Sequence, residues 1–386
     1  MPKPLTIPFN KPYISTKCND YMLKAYRSGK HCGNYDWTNK SIQLIKEKYN
    51  TSEIFLVPSC TAALEMGAML AGLKPGDEVI LPSYTFSSTV TSIMLFGARP
   101  IFCDINPSTM NIDVNQIKPL ITNKTKLLLP IDYAGVPCEL DKIKEISNKY
   151  SIPVLVDSAQ SFGSLDSNSK WCSSEADLIA FSFHETKNIS CGEGGALVVN
   201  NKEWIERAYI LQEKGTDRRN VLQGKLSKYH WVDYGSSYLL SDILASILCG
   251  QLEDEKTIMS SRANVTQLYS EILRKFENQV NVIDESQKDK YNHHAYYIVF
   301  ESHQKRNYFI SLLQQDFKVS AYVGYSPLHS SPMGLKLGYK PSDLPVTQDL
   351  ANRIVRLPIY TELGQSNNQL EYLKYAIETT LLSVLK

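Results

Sequence analysis

The chain has 386 residues, 43% of them hydrophobic and 21% charged, which is the composition of an ordinary globular protein. Its formal net charge of +1 lacks the imbalance typical of proteins that bind nucleic acids or membrane surfaces, so we expect neither partner. No apolar run approaches the ~20 residues of a transmembrane helix, and the first residues, MPKPLTIPFNKPY, lack the apolar block of a signal peptide. We therefore expect a cytoplasmic protein.

Eight cysteines are scattered through predicted core and loop segments: Cys18, Cys32, Cys60, Cys103, Cys138, Cys172, Cys191 and Cys249. No two of them form a CxxC pair, so the sequence predicts no zinc site and no other metal site. The same scatter favours a reducing compartment over a disulfide framework.

Length predicts two domains. The chain exceeds the ~250–300 residues at which a single core stops growing. We expect a large domain over residues 1–255, which includes an N-terminal arm with a helix near residues 17–28, and a smaller C-terminal domain over residues 256–386. A long helical pattern over residues 239–276 is expected to link them.

Strands alternate with helices through the large domain. Apolar runs predict strands at residues 54–57, 79–81, 99–104, 126–131 and 153–156. Helical patterns fall near residues 38–49, 89–96, 113–121, 140–150 and 202–214. This alternation is typical of a largely parallel sheet with helices on both faces. The C-terminal part predicts strands at 295–300 and 319–323 and helices at 305–316 and 370–385.

The segment SCTAAL places small and hydroxyl side chains where a predicted strand gives way to a helix. The first amides of a helix are unpaired and its dipole is positive there. Ser59, Cys60 and Thr61 could therefore present amides and a hydroxyl group to a phosphate. Simple N-capping of the helix by Ser59 explains the same residues equally well.

Two further segments place side chains at the ends of predicted strands, where open α/β sheets bind ligands. Phe86, in PSYTF, could lie flat on a planar cofactor, and ordinary core packing would also account for it. Asp157, in VLVDSAQ, could pair with the protonated ring nitrogen of pyridoxal phosphate or serve as a helix N-cap. Gln160 follows three residues later and could contact the same ligand.

The stretch DLIAFSFHETKNISCGEGGALVV, residues 177–199, predicts two buried strands with Lys187 on the tight turn between them. A lysine that is held still and partly desolvated has a pKa below its usual ~10.4, as Schiff-base and proton-transfer chemistry require. Taken alone, a solvated loop lysine is the more common alternative. Residues 215–238 then form a long polar stretch with aromatic and basic residues, which predicts a functional or disordered loop.

The segments SCTAAL, PSYTF, VDSAQ and FSFHETKN…GEGGA, in this order, resemble the DegT/DnrJ/EryC1 family of aminotransferases that act on nucleotide-linked keto-sugars. The resemblance extends from Pro8 to the last predicted helix. It implies the α/β architecture of PLP-dependent transferases of fold type I: a large domain with a mostly parallel seven-stranded sheet between helices, and a smaller α+β C-terminal domain. It also implies pyridoxal 5′-phosphate (PLP), or its amine form PMP, as cofactor, and a homodimer with shared active sites.

The resemblance also implies roles for individual residues. Lys187 would bind the cofactor covalently and move a proton between cofactor and sugar carbon, while Asp157 would keep the pyridine nitrogen protonated. Phe86 would stack on the ring and Gln160 would contact its hydroxyl side. The phosphate would be bound by Cys60, Thr61 and Ser182, with Ser237 at a position that reaches it from the partner subunit. Residues expected at the sugar site are Tyr325, His329, Lys214 and Lys30.

Three positions depart from the family pattern. Cys60 stands where glycine is usual, so its side chain needs room. Ser237 replaces the usual asparagine of the cross-subunit phosphate contact, and Leu239 replaces an arginine two residues further on. A shorter serine could reach the phosphate through a water molecule.

One branch of the family is most similar in four segments: FHETKN, EKGT, GSSYL and SGKHCGNY. That branch transfers the amino group of L-glutamate to the C4 keto group of dTDP-4-keto-6-deoxyglucose, giving dTDP-4-amino-4,6-dideoxygalactose for surface polysaccharide. The gluco product, or amination at C3, remains the alternative. Relatives that act as dehydratases keep histidine in place of the lysine, so Lys187 favours transamination.

Two other classes of protein stay open at this point. A nicotinamide oxidoreductase shares the α/β pattern, but it would need GxGxxG between an early strand and helix, and the SCTAAL turn lacks those glycines. A regulatory protein that binds the cofactor without turnover would look the same in sequence. Release of 2-oxoglutarate from glutamate would separate it from an enzyme.

Overall fold

The computed structural model describes residues 3–49, 51–283 and 290–386. Residues 1–2, at the start of the predicted N-terminal arm, residue 50 and residues 284–289, in the predicted C-terminal domain, lie outside the described residues. Within the described ranges, no helix combines the length and apolarity needed to cross a bilayer. Those ranges also hold no cluster of three or more His, Cys, Asp or Glu side chains placed to bind a metal ion.

Within the described residues, the central sheet has seven strands, and all are short and almost wholly buried. They are β1 (Glu53–Val57), β2 (Glu78–Pro82), β3 (Arg99–Cys103), β4 (Thr125–Leu128), β5 (Leu155–Asp157), β6 (Leu178–Ser182) and β7 (Gly195–Val199). Backbone hydrogen bonds join these strands in two groups, in the spatial orders β3-β2-β4 and β5-β6-β7-β1. Parallel bridges between Leu128 and Val154 and between Ile131 and Asp157 join the two groups into one sheet.

Among the described strands of this sheet, only β7 runs opposite to all the others, since it pairs antiparallel with both β1 and β6. The predicted mostly parallel seven-stranded sheet is therefore confirmed. The reversal of β7 has a consequence for the site. Because β6 returns directly as β7, the connection between them lies at the carboxyl edge of the sheet, beside the end of β5.

The helices in this part of the chain pack on the faces of the sheet or on one another. They are α1 (Thr16–Arg27), α2 (Asp36–Tyr49), α3 (Cys60–Leu70), α4 (Ser87–Met94), α5 (Val114–Leu120), α6 (Leu140–Tyr150), α7 (Ile205–Gln212), α8 (Arg218–Leu222) and α9 (Asp242–Glu253). Two apolar clusters hold the layers together. Tyr49, Phe162, Phe181 and Phe183 form an aromatic centre in one cluster, and α3 packs against the sheet in the other.

The C-terminal part contains a second, wholly antiparallel sheet of order β10-β11-β9-β8. Its strands are β8 (Asn281–Val282), β9 (Tyr297–Val299), β10 (Tyr322–Val323) and β11 (Ile354–Arg356). Its helices are α10 (Glu255–Leu273), α11 (His303–Phe317), α12 (Pro332–Lys336), α13 (Pro345–Arg353), α14 (Thr361–Gly364) and α15 (Asn367–Val384). Its core includes Tyr84 and Tyr133 from the central-sheet region, so one apolar cluster contains residues of both parts. The domain boundary at residues 255 and 256 stays a prediction.

The structure corrects two sequence predictions. The continuous helix expected over residues 239–276 is two helices, because the chain bends at Asp254 and α9 begins only after the Ser241 N-cap. No glycine or proline marks this bend, so the local pattern could not reveal it. The helix expected over residues 202–214 is a short 3-10 turn followed by α7.

Candidate active site

A cavity of about 480 Å³ opens at the carboxyl ends of β5 and β6. All four segments singled out in the sequence contribute to its walls. The predicted residues that line it are Cys60, Thr61, Phe86, Asp157, Gln160, Ser182, Lys187 and Tyr325. Residues separated by more than two hundred positions in the chain therefore meet at one edge of the sheet.

Lys187 lies on the connection between β6 and β7, as predicted. Its backbone N–H donates to the carbonyl oxygen of His184 at 2.9 Å, which closes a tight turn. Below the turn, the amides of Phe183 and Cys191 donate to Gly194 and Phe183 at 2.8 and 2.9 Å. These bonds continue the β6–β7 pairing up to the turn, so the lysine has a rigid base.

The Lys187 side chain is half-buried and lines the cavity. Burial lowers the pKa of its ammonium group, because desolvation disfavours the charged form. Cys60 and Asp157 act in the opposite direction, and the nearby positive charge of Arg356 lowers the pKa further. The net lowering increases the fraction of uncharged amine, which is the nucleophilic and basic form.

Asp157 ends β5 and is buried. Thr89 donates its hydroxyl to Oδ2 at 2.7 Å, and the backbone amide of Ala159 donates to Oδ1 at 3.2 Å. Burial raises the pKa of this carboxyl group, and these two hydrogen bonds and the charge of Lys187 counteract it. In the part of the chain that the structure describes, no cationic side chain forms an ion pair with Asp157. A cationic ligand atom at this carboxylate would therefore be stabilised.

Thr89 was not predicted as a site residue. Its hydroxyl also shares a 2.7 Å hydrogen bond with that of Thr85, so both oxygens are fixed. The only sequence signal is a hydroxyl residue three positions after Phe86, one turn into α4.

The N-terminus of α3 faces the same cavity. Ser59 caps the helix by accepting from the Ala62 amide at 3.1 Å, so the N-capping role considered from the sequence is real. Because they lie in the first turn of α3, the amides of Cys60 and Thr61 have no helical partner among the described residues, and both residues line the cavity. The Thr61 hydroxyl donates to Ser88 Oγ at 2.9 Å, next to the start of α4.

Gly195 sets the distance between α3 and β7. A Cβ atom at this position would lie 2.5 Å from the carbonyl carbon of Ser59 and 2.6 Å from the nitrogen of Cys60. Only glycine permits this backbone approach, which brings the free amides of α3 beside the lysine turn. The Cys60 side chain finds room near the Asp157 carboxylate, with Sγ 3.9 Å from Oδ1.

Three side chains form the outer part of the cavity. Phe86 is 58% exposed, so it lines the cavity and is not a core residue. Gln160 donates from Nε2 to the Tyr325 hydroxyl at 2.9 Å and accepts from the Ala134 amide at 2.7 Å. Both ends of the Gln160 amide thus have protein partners. Its place in the structure is to orient Tyr325, whose pKa burial raises to about 12.

Four predicted residues do not line this cavity. Lys30 and Lys214 are exposed, with the Lys30 ammonium 3.6 Å from Asp36 and the Lys214 ammonium 3.8 Å from Glu213. Ser237 is exposed on the 215–238 segment. His329 is fully buried, and its Nδ1 shares a 2.7 Å hydrogen bond with Ser83. The structure thus places the His329 ring against Ser83 and not among the residues that line this cavity, and its role at the sugar site stays a prediction.

Fold and site together define the class of protein. A lysine and a buried carboxylate meet at the carboxyl edge of a seven-stranded, mostly parallel sheet, and the chain has the fold of the PLP-dependent transferases of fold type I. Within that class, the chain belongs to the DegT/DnrJ/EryC1/StrS aminotransferase family, whose family model matches residues 17–371. The family predicted from the sequence is confirmed.

Two relatives illustrate the breadth of this similarity. The uncharacterized protein MJ1066 of Methanocaldococcus jannaschii is 33% identical over 336 residues, which are 84% of this chain and 86% of the relative. The spore coat polysaccharide biosynthesis protein SpsC of Bacillus subtilis is 27% identical over 376 residues, 94% of each chain.

Solved structures share the fold across the whole chain. The PLP form of Spr1654 from Streptococcus pneumoniae superposes with a TM-score of 0.89 at 24% identity, covering 99% of this chain and 100% of that one. Helicobacter pylori PseC, an aminotransferase involved in the biosynthesis of pseudoaminic acid, has a TM-score of 0.87 at 22% identity, covering 98% and 100%.

Proposed function

We propose that this chain transfers the amino group of L-glutamate to the C4 keto group of dTDP-4-keto-6-deoxyglucose. The product is dTDP-4-amino-4,6-dideoxygalactose, for surface polysaccharides such as O-antigen or enterobacterial common antigen. One observation carries the proposal: a member of an aminotransferase family places Lys187 and Asp157 on one cavity. The similarity to SpsC, a spore coat polysaccharide biosynthesis protein, and to PseC, an aminotransferase of pseudoaminic acid biosynthesis, supports a sugar as substrate.

The cofactor is pyridoxal 5′-phosphate with its amine form, as predicted. When bound, it supplies a carbonyl carbon that accepts an amine and a ring that withdraws electrons from the substrate carbon. The cavity fits this group. The Asp157 carboxylate lacks a cationic partner among the described residues and suits a protonated ring nitrogen, while the α3 amides at Cys60 and Thr61 suit a phosphate. Phe86 offers an exposed aromatic face to the ring.

The residues of the chain divide the remaining work between them. Lys187 Nζ would remove a proton from the donor carbon in the first half-reaction and deliver a proton to the sugar carbon in the second, and its lowered pKa favours the basic amine form. Thr89 and the Ala159 amide donate hydrogen bonds to the Asp157 carboxylate, so this group is already oriented before a ligand binds. Gln160 fixes the Tyr325 hydroxyl at the outer wall.

The proposal is tested by incubating the enzyme with L-glutamate and dTDP-4-keto-6-deoxyglucose. Release of 2-oxoglutarate and an NMR spectrum of the sugar product are the two measurements. An axial C4 amine, the galacto product, supports the proposal. A gluco product, or an amine at C3 from a 3-keto-sugar, would replace the substrate assignment and leave the transaminase assignment standing. Absence of 2-oxoglutarate with every nucleotide keto-sugar would refute glutamate as the donor, and absence of an aminated sugar with any amino donor would refute the transaminase assignment.

We further propose a homodimer in which Lys30, Lys214 and Ser237 reach the partner's cavity. Their positions outside the cavity of their own chain support it. So does the segment 215–238, where Trp231 and Tyr234 are 77% and 75% exposed, since exposed aromatic clusters mark contact surfaces. Co-expressed Lys187→Ala and Lys214→Ala chains would test it. A mixed dimer would contain one intact site and recover activity, whereas action within one chain would leave every mixed dimer inactive.

A further inference from the structure

A second, smaller cavity adjoins the active site. It has a volume of about 160 Å³ and shares three wall residues with the larger cavity: Thr186, Lys187 and Tyr325. Its other walls come from the N-terminal segment, α10, the segment before β9 and the region at and after β11, and they are Phe9, Asn10, Arg262, His294, Arg356 and Ile359. A ligand there would contact Lys187 and lie beside the cofactor region without occupying it.

The described residues that line this cavity are cationic in part and include no carboxylate. Arg262 is 3% exposed, and it donates from Nε to the His293 carbonyl at 2.9 Å and from Nη2 to the His294 carbonyl at 2.7 Å. Carbonyl oxygens satisfy its hydrogen bonds but do not neutralise its charge. Arg356 Nε is buried and has no hydrogen-bond partner among the described residues. Its guanidinium carbon lies 5.6 Å from the ring centroid of Phe9.

His294 adds a neutral ring to this wall. Asn188 donates its amide to the Asn292 carbonyl at 2.6 Å, so the Asn188 oxygen is free to accept from His294 Nδ1 at 3.1 Å. Nε2 then carries the lone pair. Burial lowers the pKa of His294 well below its usual value, and the charges of Lys187, Arg356 and Arg262 lower it further. The cavity therefore holds arginine charges without a counter-ion in the part of the chain described, an arrangement that a bound anion would stabilise.

We infer that this cavity binds the α-carboxylate of the amino donor, with Arg356 as its ion-pair partner. The inference rests on the proposed function, because the donor must bring its amine to Lys187. The α-carboxylate is bonded to the same carbon as that amine, so the two groups can occupy adjacent walls. Arg356 lines this cavity, and its planar guanidinium fork matches a carboxylate.

Size favours the donor over the nucleotide-sugar. Pockets for drug-sized ligands have volumes of roughly 300–1,000 Å³. The larger cavity, at about 480 Å³, falls in that range, and the cationic one, at about 160 Å³, holds only a small group. The two substrates of a ping-pong reaction would thus share Lys187 and use different anchors.

The test compares the two half-reactions of the cofactor-loaded enzyme by rapid-mixing absorbance. In Arg356→Gln we expect the glutamate concentration for half-maximal rate to rise about ten- to a hundredfold, as when one charged partner of an anion is removed. The keto-sugar half-reaction of the PMP form should keep its half-saturating concentration. Arg356→Lys keeps the charge without the fork and should show a smaller rise. Arg99→Gln removes an exposed arginine at the start of β3 and should match wild type.

An equal effect of Arg356→Gln on both half-reactions, or none on either, would overturn the inference. If Arg356→Gln fails to fold, wild-type enzyme still decides. Glutarate, a dicarboxylate without an amine, should compete with glutamate and not with the keto-sugar, and inhibition against the keto-sugar alone would place the anion site with the nucleotide. If wild type takes its amine from another amino acid, the proposed donor is wrong. The same variants tested with that amino acid then decide the role of Arg356 independently.

Discussion

Two cavities meet at Lys187, and their charges are opposite. The larger one contains a buried carboxylate, Asp157, without a cationic partner among the described residues, and the smaller one contains Arg262 and Arg356 without a carboxylate in its walls. Each would be stabilised by a ligand of the opposite sign. The lysine between them is influenced by both, since Asp157 raises its pKa and Arg356 lowers it, while burial has the largest effect and lowers it.

The largest effect is expected when the group that both cavities share, Lys187, is removed. Lys187→Ala should lower the rate of each half-reaction by at least about 10²–10⁴-fold, the contribution of a positioned general base. Rapid-mixing absorbance with glutamate and with the keto-sugar measures both steps. Lys202→Ala, a change at an exposed lysine, is the matched control. Wild-type turnover by Lys187→Ala would end the assignment, as would borohydride labelling of a different peptide.

A change confined to the larger cavity removes its buried negative charge. Asp157→Asn keeps the shape and should lower turnover on the order of a hundredfold, the effect of breaking a buried, hydrogen-bonded charge pair. Asp316→Asn, at an exposed site on α11, controls for the loss of one carboxylate.

The same variant should behave differently without cofactor. Burial raises the Asp157 pKa, so this group favours the folded state at low pH, and that contribution is lost as pH rises through the raised pKa. Cofactor-free Asp157→Asn should therefore have a higher Tm than wild type at neutral pH. A lower Tm would contradict the unpaired-charge description.

The pH dependence of cofactor uptake tests whether the smaller cavity influences the pKa of Lys187. The groups whose charges influence Lys187 are Cys60, Asp157 and Arg356, and His294, whose pKa is lowered by the lysine, lies close by. Because a positive neighbour disfavours the ammonium form, Arg356→Gln should raise the Lys187 pKa. The rate at which cofactor-free protein takes up PLP should then increase at a higher pH than in wild type. An unchanged profile, or a shift to lower pH, would show that Arg356 does not influence the amine.

The smallest expected effect lies at the phosphate end of the larger cavity. Thr61→Ala removes one hydroxyl and should weaken PLP binding about tenfold or less, the range of one neutral hydrogen bond. Thr61→Ser keeps the hydroxyl and should bind as wild type does. Equilibrium titration of cofactor-free protein measures both. Equal affinities of the two variants would exclude a contact from this hydroxyl.

The larger cavity could be predicted from sequence because each of its parts is local. Asp157 follows a recognisable buried strand, and Lys187 lies between two such strands, so period and turn signals locate them. The carboxyl ends of parallel strands meet at one edge, which brings those local predictions together. For the same reason, Cys60 and Thr61 at the start of α3 fell where expected.

The smaller cavity could not be predicted. Arg262, His294 and Arg356 come from α10, the segment before β9 and the end of β11, and no motif connects them. Their proximity depends on how the C-terminal sheet packs, which local patterns do not encode. His329 illustrates the same limit, since a histidine in a loop of the C-terminal part turned out to be a buried partner of Ser83.

Because strand β7 is reversed, the lysine lies on a hairpin connection between two strands that are adjacent in both sequence and sheet. Because β6 and β7 are sequential neighbours, residues 183–194 join adjacent strand ends and thread through nothing else in the sheet. Exchange of Lys187 would change the reactive group while the strands, the α3 amides and Asp157 stay in place, whereas Phe183, Ile189 and Cys191 of the same segment are buried in the core. Evolution and protein engineering can therefore exchange the chemistry of such a site by editing the positions of one turn that lie outside the core.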